Sequence, residues 1–490
     1  MKQLTSLDAQ FLNVESSTTT GHVGALLPLD PSTAPGGELT LESVRDLIEQ
    51  RLHLCPTFRQ RLIEVPLGLG LPYWVDDPDF DLEYHLRDVA LPAPGDEQQL
   101  GEQVARIHSR PLDRSRPLWE MYLIHGVGGD GAALFYKIHH AAIDGVSGGE
   151  ILATLLDSTV EPREVGLPDD DWAPQQLPGL AEVIARTSVA NAQLTAHSLV
   201  RLPRSLSYLA DLPGAANFPG ARQVSAVADA ALAMTSRRIR PRQHTARALE
   251  VPHTPFNGPI TAHRRFAYGS VPLEQVKKIK NAFELTVNDV VMALTTTALR
   301  RWLLDHDALP TIPLVAAVPV SVRADGVEGI AGNQVSVMIA SLPTHIADPV
   351  DRLEAVHASM LEAKDSFEAL PATLLQDLSA VLPTALSGLS SKALFQLATV
   401  PGLPFNLFVS NIPGPQLPLY VAGARVQGIH PVSAVSRVTG GLNLTLFSYD
   451  GALNFGLIAC REMVPDLWKM IGYLADAADE LITAAGAADG

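Results

Sequence analysis

Two adjacent imidazoles, His139 and His140, followed by Asp144 and Gly145, are the sharpest candidates for chemistry in the chain. Residues 133–138 before them have the composition of a buried strand, and residues 150–156 after them favour helix. The pair therefore falls where a strand ends and the chain turns, a place from which side chains project into a cleft. Imidazole titrates near pH 6.5, so it can take the proton of a hydroxyl as that oxygen attacks a thioester carbon, with no covalent enzyme intermediate required. An Asp four residues on can fix the turn through a salt bridge, and Gly145 leaves room for backbone or substrate to approach. Asp144 and Gly145 are expected to be architectural.

The same residues admit other chemistry. Two imidazoles and a carboxylate suit zinc, yet adjacent histidines seldom share one ion and no HExxH pattern exists, so no metal is expected. Gly145-Val146-Ser147-Gly148-Gly149 satisfies the G-x-S-x-G pattern of a nucleophile elbow, which makes a serine hydrolase using Ser147 the alternative. An elbow serine sits at the strand end, whereas Ser147 lies farther along. The two cysteines, Cys55 and Cys460, are too few for a disulfide framework and suit a reducing compartment.

With 490 residues, 47% of them hydrophobic and 18% charged, the chain can bury two cores of ordinary domain size. Its formal charge of -17 repels a polyphosphate backbone, which sets nucleic acid aside as a general partner. The N-terminus lacks the apolar run of a signal peptide. Residues 393–424 carry no charge but contain Pro401, Pro404, Pro413, Pro415 and Pro418, so they read as buried strand and loop, not a membrane-spanning helix. Contact with lipid would be peripheral.

Residues 161–179, with four prolines and the acidic run Asp169 to Asp171, read as linker, and residues 180–212 as helix. Beyond residue 262 the pattern alternates again. Helices are expected over 273–285, 288–305, 351–366 and 465–485, and strands over 312–322, 405–409, 441–448 and 453–459.

The run from His139 to Gly145 is the signature of acyl-CoA-dependent acyltransferases that resemble chloramphenicol acetyltransferase, and further segments narrow the match. The chain resembles the bacterial wax ester synthase/diacylglycerol acyltransferase family. The matching segments are Leu4-Thr5-Ser6-Leu7-Asp8-Ala9-Gln10-Phe11-Leu12 with His22-Val23-Gly24, and Pro111-Leu112-Asp113-Arg114-Ser115-Arg116-Pro117-Leu118-Trp119-Glu120. In the second half they are Phe256-Asn257-Gly258-Pro259, Val287-Asn288-Asp289-Val290-Val291, Pro319-Val320-Ser321-Val322-Arg323, Gly332-Asn333-Gln334 and Ser410-Asn411-Ile412-Pro413-Gly414-Pro415.

That resemblance implies an α/β protein of two chloramphenicol-acetyltransferase-like domains with an active-site channel between them. The expected division is an acyltransferase domain over 1–160, a helical and loop crossover over 161–250, and a second acyltransferase-like domain over 251–490. It implies His140 as general base, His139 lining the site and Asp144 pointing away from substrate. Asn288 and Asp289 would shape the substrate site, and by looser analogy Ser410 and Asn411 would stand near the developing oxyanion. The reaction implied is direct transfer of a long-chain acyl group from acyl-CoA to diacylglycerol, or to a fatty alcohol in a wax ester synthase. Acyl-CoA is then a cosubstrate, and no cofactor is expected. Such a protein would be cytoplasmic, working peripherally at the inner membrane face or on lipid bodies. A non-catalytic acyl-binding module is the rival from another class.

Several residues stay open at this level. Trp119 reads as core packing, and Arg264, Arg265 and Arg323 are equal candidates to pair with Asp144. Arg237, Arg238, Arg240, Arg242 and Arg247 could meet CoA phosphates or an anionic membrane surface, or simply be solvated. Lys277, Lys278 and Lys280 read as an exposed helix face.

Overall fold

Strand-forming residues with a period of two build two mixed sheets in the protein, whose computed structural model describes residues 1–143, 148–166, 176–191, 226–228, 250–321, 335–368, 405–436 and 439–488. The first sheet runs Tyr420–Val421, Ala424–Val426, His22–Asp30, Gly131–His139, Trp119–Val127, Leu86–Ala90, and His430–Val432 also pairs with His22–Asp30. The second runs Val335–Leu342, Leu314–Ser321, Leu407–Ile412, Leu442–Tyr449, Ala452–Cys460, Arg264–Pro272. Two α/β halves are present, as the sequence leads one to expect.

Alternation decides which side of the first sheet does what. Leu134 and Ile138 of Gly131–His139 pack with Val44, Leu47 and Ile48 of the helix Leu41–Arg51 and with Ile151, Leu152 and Leu155 of the helix Gly148–Leu155. Phe135 and Ala133, on the opposite face, join Leu26, Tyr122 and Ile124 against the helix Glu97–His108 and against Phe266, Tyr268 and Ile458 of the second sheet. One apolar seam thus fastens the halves together. Gly101 permits it, since a Cβ there would stand 2.7 Å from the Phe266 carbonyl oxygen.

Residues 420–432 correct the expected division at residue 251. Although they follow the second sheet's strand Leu407–Ile412 in sequence, they pair in the first sheet, with Arg425 opposite Asp30 and His430 opposite Leu26. The physical gain is that His22–Asp30 is covered along an edge that would otherwise present unpaired peptide groups. The first half is completed by a segment of the second.

The second core gathers around the helix Val287–Asp305, which is buried on nearly every side and so carries apolar residues all round. The helix expected over 273–285 stops at Ala282, because Glu284 takes a left-handed φ of 54° and Leu285 N–H turns back to the Lys280 carbonyl. Of the helix expected over 180–212, residues 180–191 are helical, docking Val183 against Val65 and Tyr73, and the remainder lies outside the described residues.

Candidate active site

His139 is the last residue of Gly131–His139, and the chain then makes a short 3-10 turn, His140–Ala142. His139 faces the seam between the halves, with His22 opposite it in the ladder. Its Nδ1 accepts the Ala141 N–H at 3.1 Å, so its proton belongs on Nε2. His140 turns the other way and stacks on Phe11 of the helix Ser6–Asn13, ring centroids 3.8 Å apart and planes 14° from parallel. Its backbone N–H donates to the Gly21 carbonyl at 2.9 Å.

His140 is only partly exposed and is closely surrounded by protein. Burial, reinforced by the neighbouring His139, lowers its pKa to about 4, against the opposing pull of its own backbone carbonyl, which accepts a ring N–H. The ring is therefore neutral near pH 7. A surface recess of about 850 Å³ lined by Leu52, His53, Arg59, Phe80 and Glu164 contains neither histidine, so cavity size does not select this site and strand-end chemistry does.

The loop ahead of His22 supplies a residue that the sequence did not single out. Glu15 accepts the Gly21 N–H at 2.9 Å and two bonds from Arg114, at 2.7 and 3.1 Å, while its Oε1 stands 3.3 Å from His139 Nε2. Burial pushes this carboxyl upward, but His139, Gly21 and Arg114 together outweigh burial and bring it to about 2. Arg264 reaches across from the second half, donating to the Thr18 carbonyl of the same loop and to the Thr261 and His263 carbonyls beside its own strand.

Below the histidines the apolar seam gives way to buried polar groups. Lys137 donates to the Arg110 carbonyl at 2.8 Å and pairs with Glu120 at 3.2 Å, and His22 donates to the His108 carbonyl at 2.7 Å. Behind the turn, Arg51 meets Asp157 through two bonds of 2.7 and 2.8 Å and donates to the Thr154 and Leu155 carbonyls, capping the helix Gly148–Leu155. Trp119 is packed in the core, stacked between Phe58 and His85 with Nε1 donating to the Phe58 carbonyl.

The second-half candidates form a group of their own. Asn288 and Asn411 meet, at 3.5 Å. Asp289 closes a capping box with Thr286 at the start of Val287–Asp305 and also accepts from His357, on the helix Pro349–Glu368, at 3.1 Å. Ser410 and Asn411 are successive residues of one strand and point to opposite faces, which prevents them from converging on a single oxyanion. Lys278 pairs with Glu274 on an exposed helix face. Asp144, Gly145, Ser147, Arg323 and the arginines from 237 to 247 lie outside the described residues.

Two family models account for most of the chain: the wax ester synthase/diacylglycerol acyltransferase catalytic domain over residues 4–291 and the C-terminal domain of the same family over 331–482. The chain belongs to this family. A Mycobacterium tuberculosis (strain CDC 1551 / Oshkosh) protein with the provisional name diacylglycerol O-acyltransferase is 36% identical over 98% of this chain and 90% of its own. Another from strain ATCC 25618 / H37Rv, named a probable diacylglycerol O-acyltransferase, is 34% identical over 98% of each. Among solved structures, the wax ester synthase/diacylglycerol acyltransferase of Marinobacter aquaeolei VT8 matches with a TM-score of 0.70 and 30% identity, over 99% of this chain and 100% of that one. A starter condensation domain of rhizomide synthetase, at TM-score 0.51 and 12% identity over 99% and 94%, shares the fold. Family membership makes the protein an acyltransferase of two chloramphenicol-acetyltransferase-like halves.

Proposed function

We propose that this acyltransferase moves a long-chain acyl group from acyl-CoA to diacylglycerol by direct transfer, with His140 as general base. The observation that carries the reading is the His140 ring, neutral at physiological pH, turned out at a strand end and braced on Phe11. The acceptor hydroxyl gives its proton to the His140 imidazole as its oxygen bonds to the thioester carbon. When the tetrahedral intermediate collapses, the carbon–sulfur bond breaks and the imidazolium returns the proton to the departing CoA thiolate. No acyl-enzyme forms, and acyl-CoA is consumed as cosubstrate.

Diacylglycerol leads as acceptor because both mycobacterial relatives carry that activity in their names, and a fatty alcohol is the second reading because the Marinobacter structure is named for both. These acceptors are insoluble in water, so the protein works at a lipid surface. Among the described residues no helix is long and apolar enough to cross a membrane. An acceptor panel with free-thiol detection and chromatography of the lipid products tests the reading. His140→Ala is expected to lower kcat by about 10² to 10⁴. Undiminished turnover in that variant refutes the base, and loss confined to Ser147→Ala decides for a hydrolase. Acyl-CoA binding without thiol release in the native protein decides for a binding module.

A further inference from the structure

Glu15 lies in the loop joining Ser6–Asn13 to His22–Asp30, and it touches both groups that hold the backbone around His140. Its Oε1 accepts the Gly21 N–H at 2.9 Å, and the Gly21 carbonyl in turn accepts the His140 N–H at 2.9 Å. The same oxygen faces His139 Nε2 at 3.3 Å, and His139 Nδ1 accepts the Ala141 N–H. One carboxylate thus braces the residue before His140 and, through that ring, the residue after it. Gly21 is needed for this closeness, because a Cβ there would stand 2.5 Å from His139 Nε2. Arg114 secures the carboxylate from behind with Nε and Nη2, and its Nη2 also donates to the Leu12 carbonyl at 2.7 Å.

We infer that Glu15, backed by Arg114, is a positioning residue that orders the Gly21 loop and faces the Nε2 edge of the His139 ring, so setting the direction in which the His140 ring is presented. Glu15 does not reach the reacting atoms. Its effect passes through Gly21, which is hydrogen-bonded to it, and through His139, whose Nε2 faces it, and a misplacement of about 1 Å at a reacting group costs on the order of 10²-fold in rate. This inference rests on His140 being the base.

The test is steady-state thiol release by the full chain with long-chain acyl-CoA and diacylglycerol, combined with thermal melting and nitrogen NMR of histidine-labelled protein. Glu15→Gln keeps the side chain's size and an acceptor for Gly21 but removes the charge that faces Arg114 and His139. It is expected to lower kcat about 10- to 100-fold, leave KM for acyl-CoA within about twofold and shift the His139 Nε2 signal, while the Ala141 N–H keeps Nδ1 as the acceptor. The His139 signals are assigned by their disappearance in His139→Gln. Arg114→Lys leaves Glu15 and its charge in place, replaces a two-pronged donor by a point donor, and is expected to lower kcat by about 3- to 10-fold. It also decides the matter if the Gln variant proves unstable. Native kcat in a folded variant, a loss residing wholly in KM, or an unmoved His139 Nε2 signal would each overturn the inference. Retained turnover in His140→Ala would instead remove the base assignment, so the two failures are told apart.

Discussion

Each half of the molecule holds a carboxylate beside a histidine, Glu15 with His139 in the first and Asp289 with His357 in the second, and their remaining bonds differ. Asp289 takes the N–H and hydroxyl of Thr286, three residues earlier in the chain, and thereby closes off the first turn of its own helix. Glu15 is held by Arg114, on a separate segment of the chain, and turns toward the loop that carries the His140 backbone. A carboxylate whose bonds are local completes a helix. One whose bonds are distant fixes the relative placement of segments, which is what a reacting group requires. The comparison predicts its own largest contrast: His140→Ala and Glu15→Gln lose kcat, whereas Asp289→Ala keeps it.

A second contrast concerns how the two halves anchor the helices nearest these candidates. Val287–Asp305 is secured at its start by the capping box, whereas Gly148–Leu155 is secured at its end by Arg51, paired with Asp157, both about 1% exposed. Asp157 also exchanges two backbone hydrogen bonds with Tyr420, so the segment crossing from the second half is tied to the same point. Removing one member of a buried pair leaves a charge uncompensated, and Arg51→Ala is expected to cost about 3 to 5 kcal/mol in urea unfolding. A loss below about 1 kcal/mol would show that the anchor is not needed and would erase this contrast.

Acid stability sharpens the comparison further, because several closely enclosed histidines stay neutral. His108 is lowered to about 3 and His430 and His140 to about 4, each chiefly by burial, and His22 lies well below its ordinary range for the same reason. The unfolded chain takes up these protons near pH 6.5 and the folded chain does not, so stability falls as pH drops from about 6.5 toward 4, by up to about 1.4 kcal/mol per pH unit per histidine. Glu15 acts in a separate window: its lowered pKa contributes stability that is present above about 4.5 and lost toward 2. Urea unfolding at pH 7, 6 and 5 reads the histidines alone, and His108→Gln is expected to flatten the slope. An unchanged slope would remove His108 from this account.

The sequence made the strand end and its two histidines legible because alternation is local and the motif is contiguous. It also selected Asn288 and Asn411, which meet although they are 123 positions apart. Glu15 escaped because a single carboxylate in a loop has no periodicity, and Arg114, although inside the family-like segment 111–120, finds its partner 99 residues away. Strands 420–432 escaped because they are two or three residues long and are interrupted by Gly423, Gly428 and Pro431, and because their pairing with residues 24–30 is remote. The opposed directions of Ser410 and Asn411, by contrast, follow from the period of two and were available from the sequence.

Asp289→Ala carries the smallest expected change and tests the comparison most directly. It removes the acceptor for the Thr286 N–H and hydroxyl and leaves His357 Nδ1 without that carboxylate, while Val287–Asp305 stays packed in the second core. Loss of a cap costs about 1 kcal/mol, and an isosteric Asp289→Asn keeps one acceptor and is expected to recover part of it. Because those bonds end within one helical turn and on His357, kcat measured well below the melting temperature is expected to stay within about twofold of native. A fall in kcat comparable to that of Glu15→Gln, with the melting temperature scarcely moved, would mean that the second carboxylate–histidine pair also governs the reacting groups, and the distinction between local and distant bonding would no longer separate the two halves.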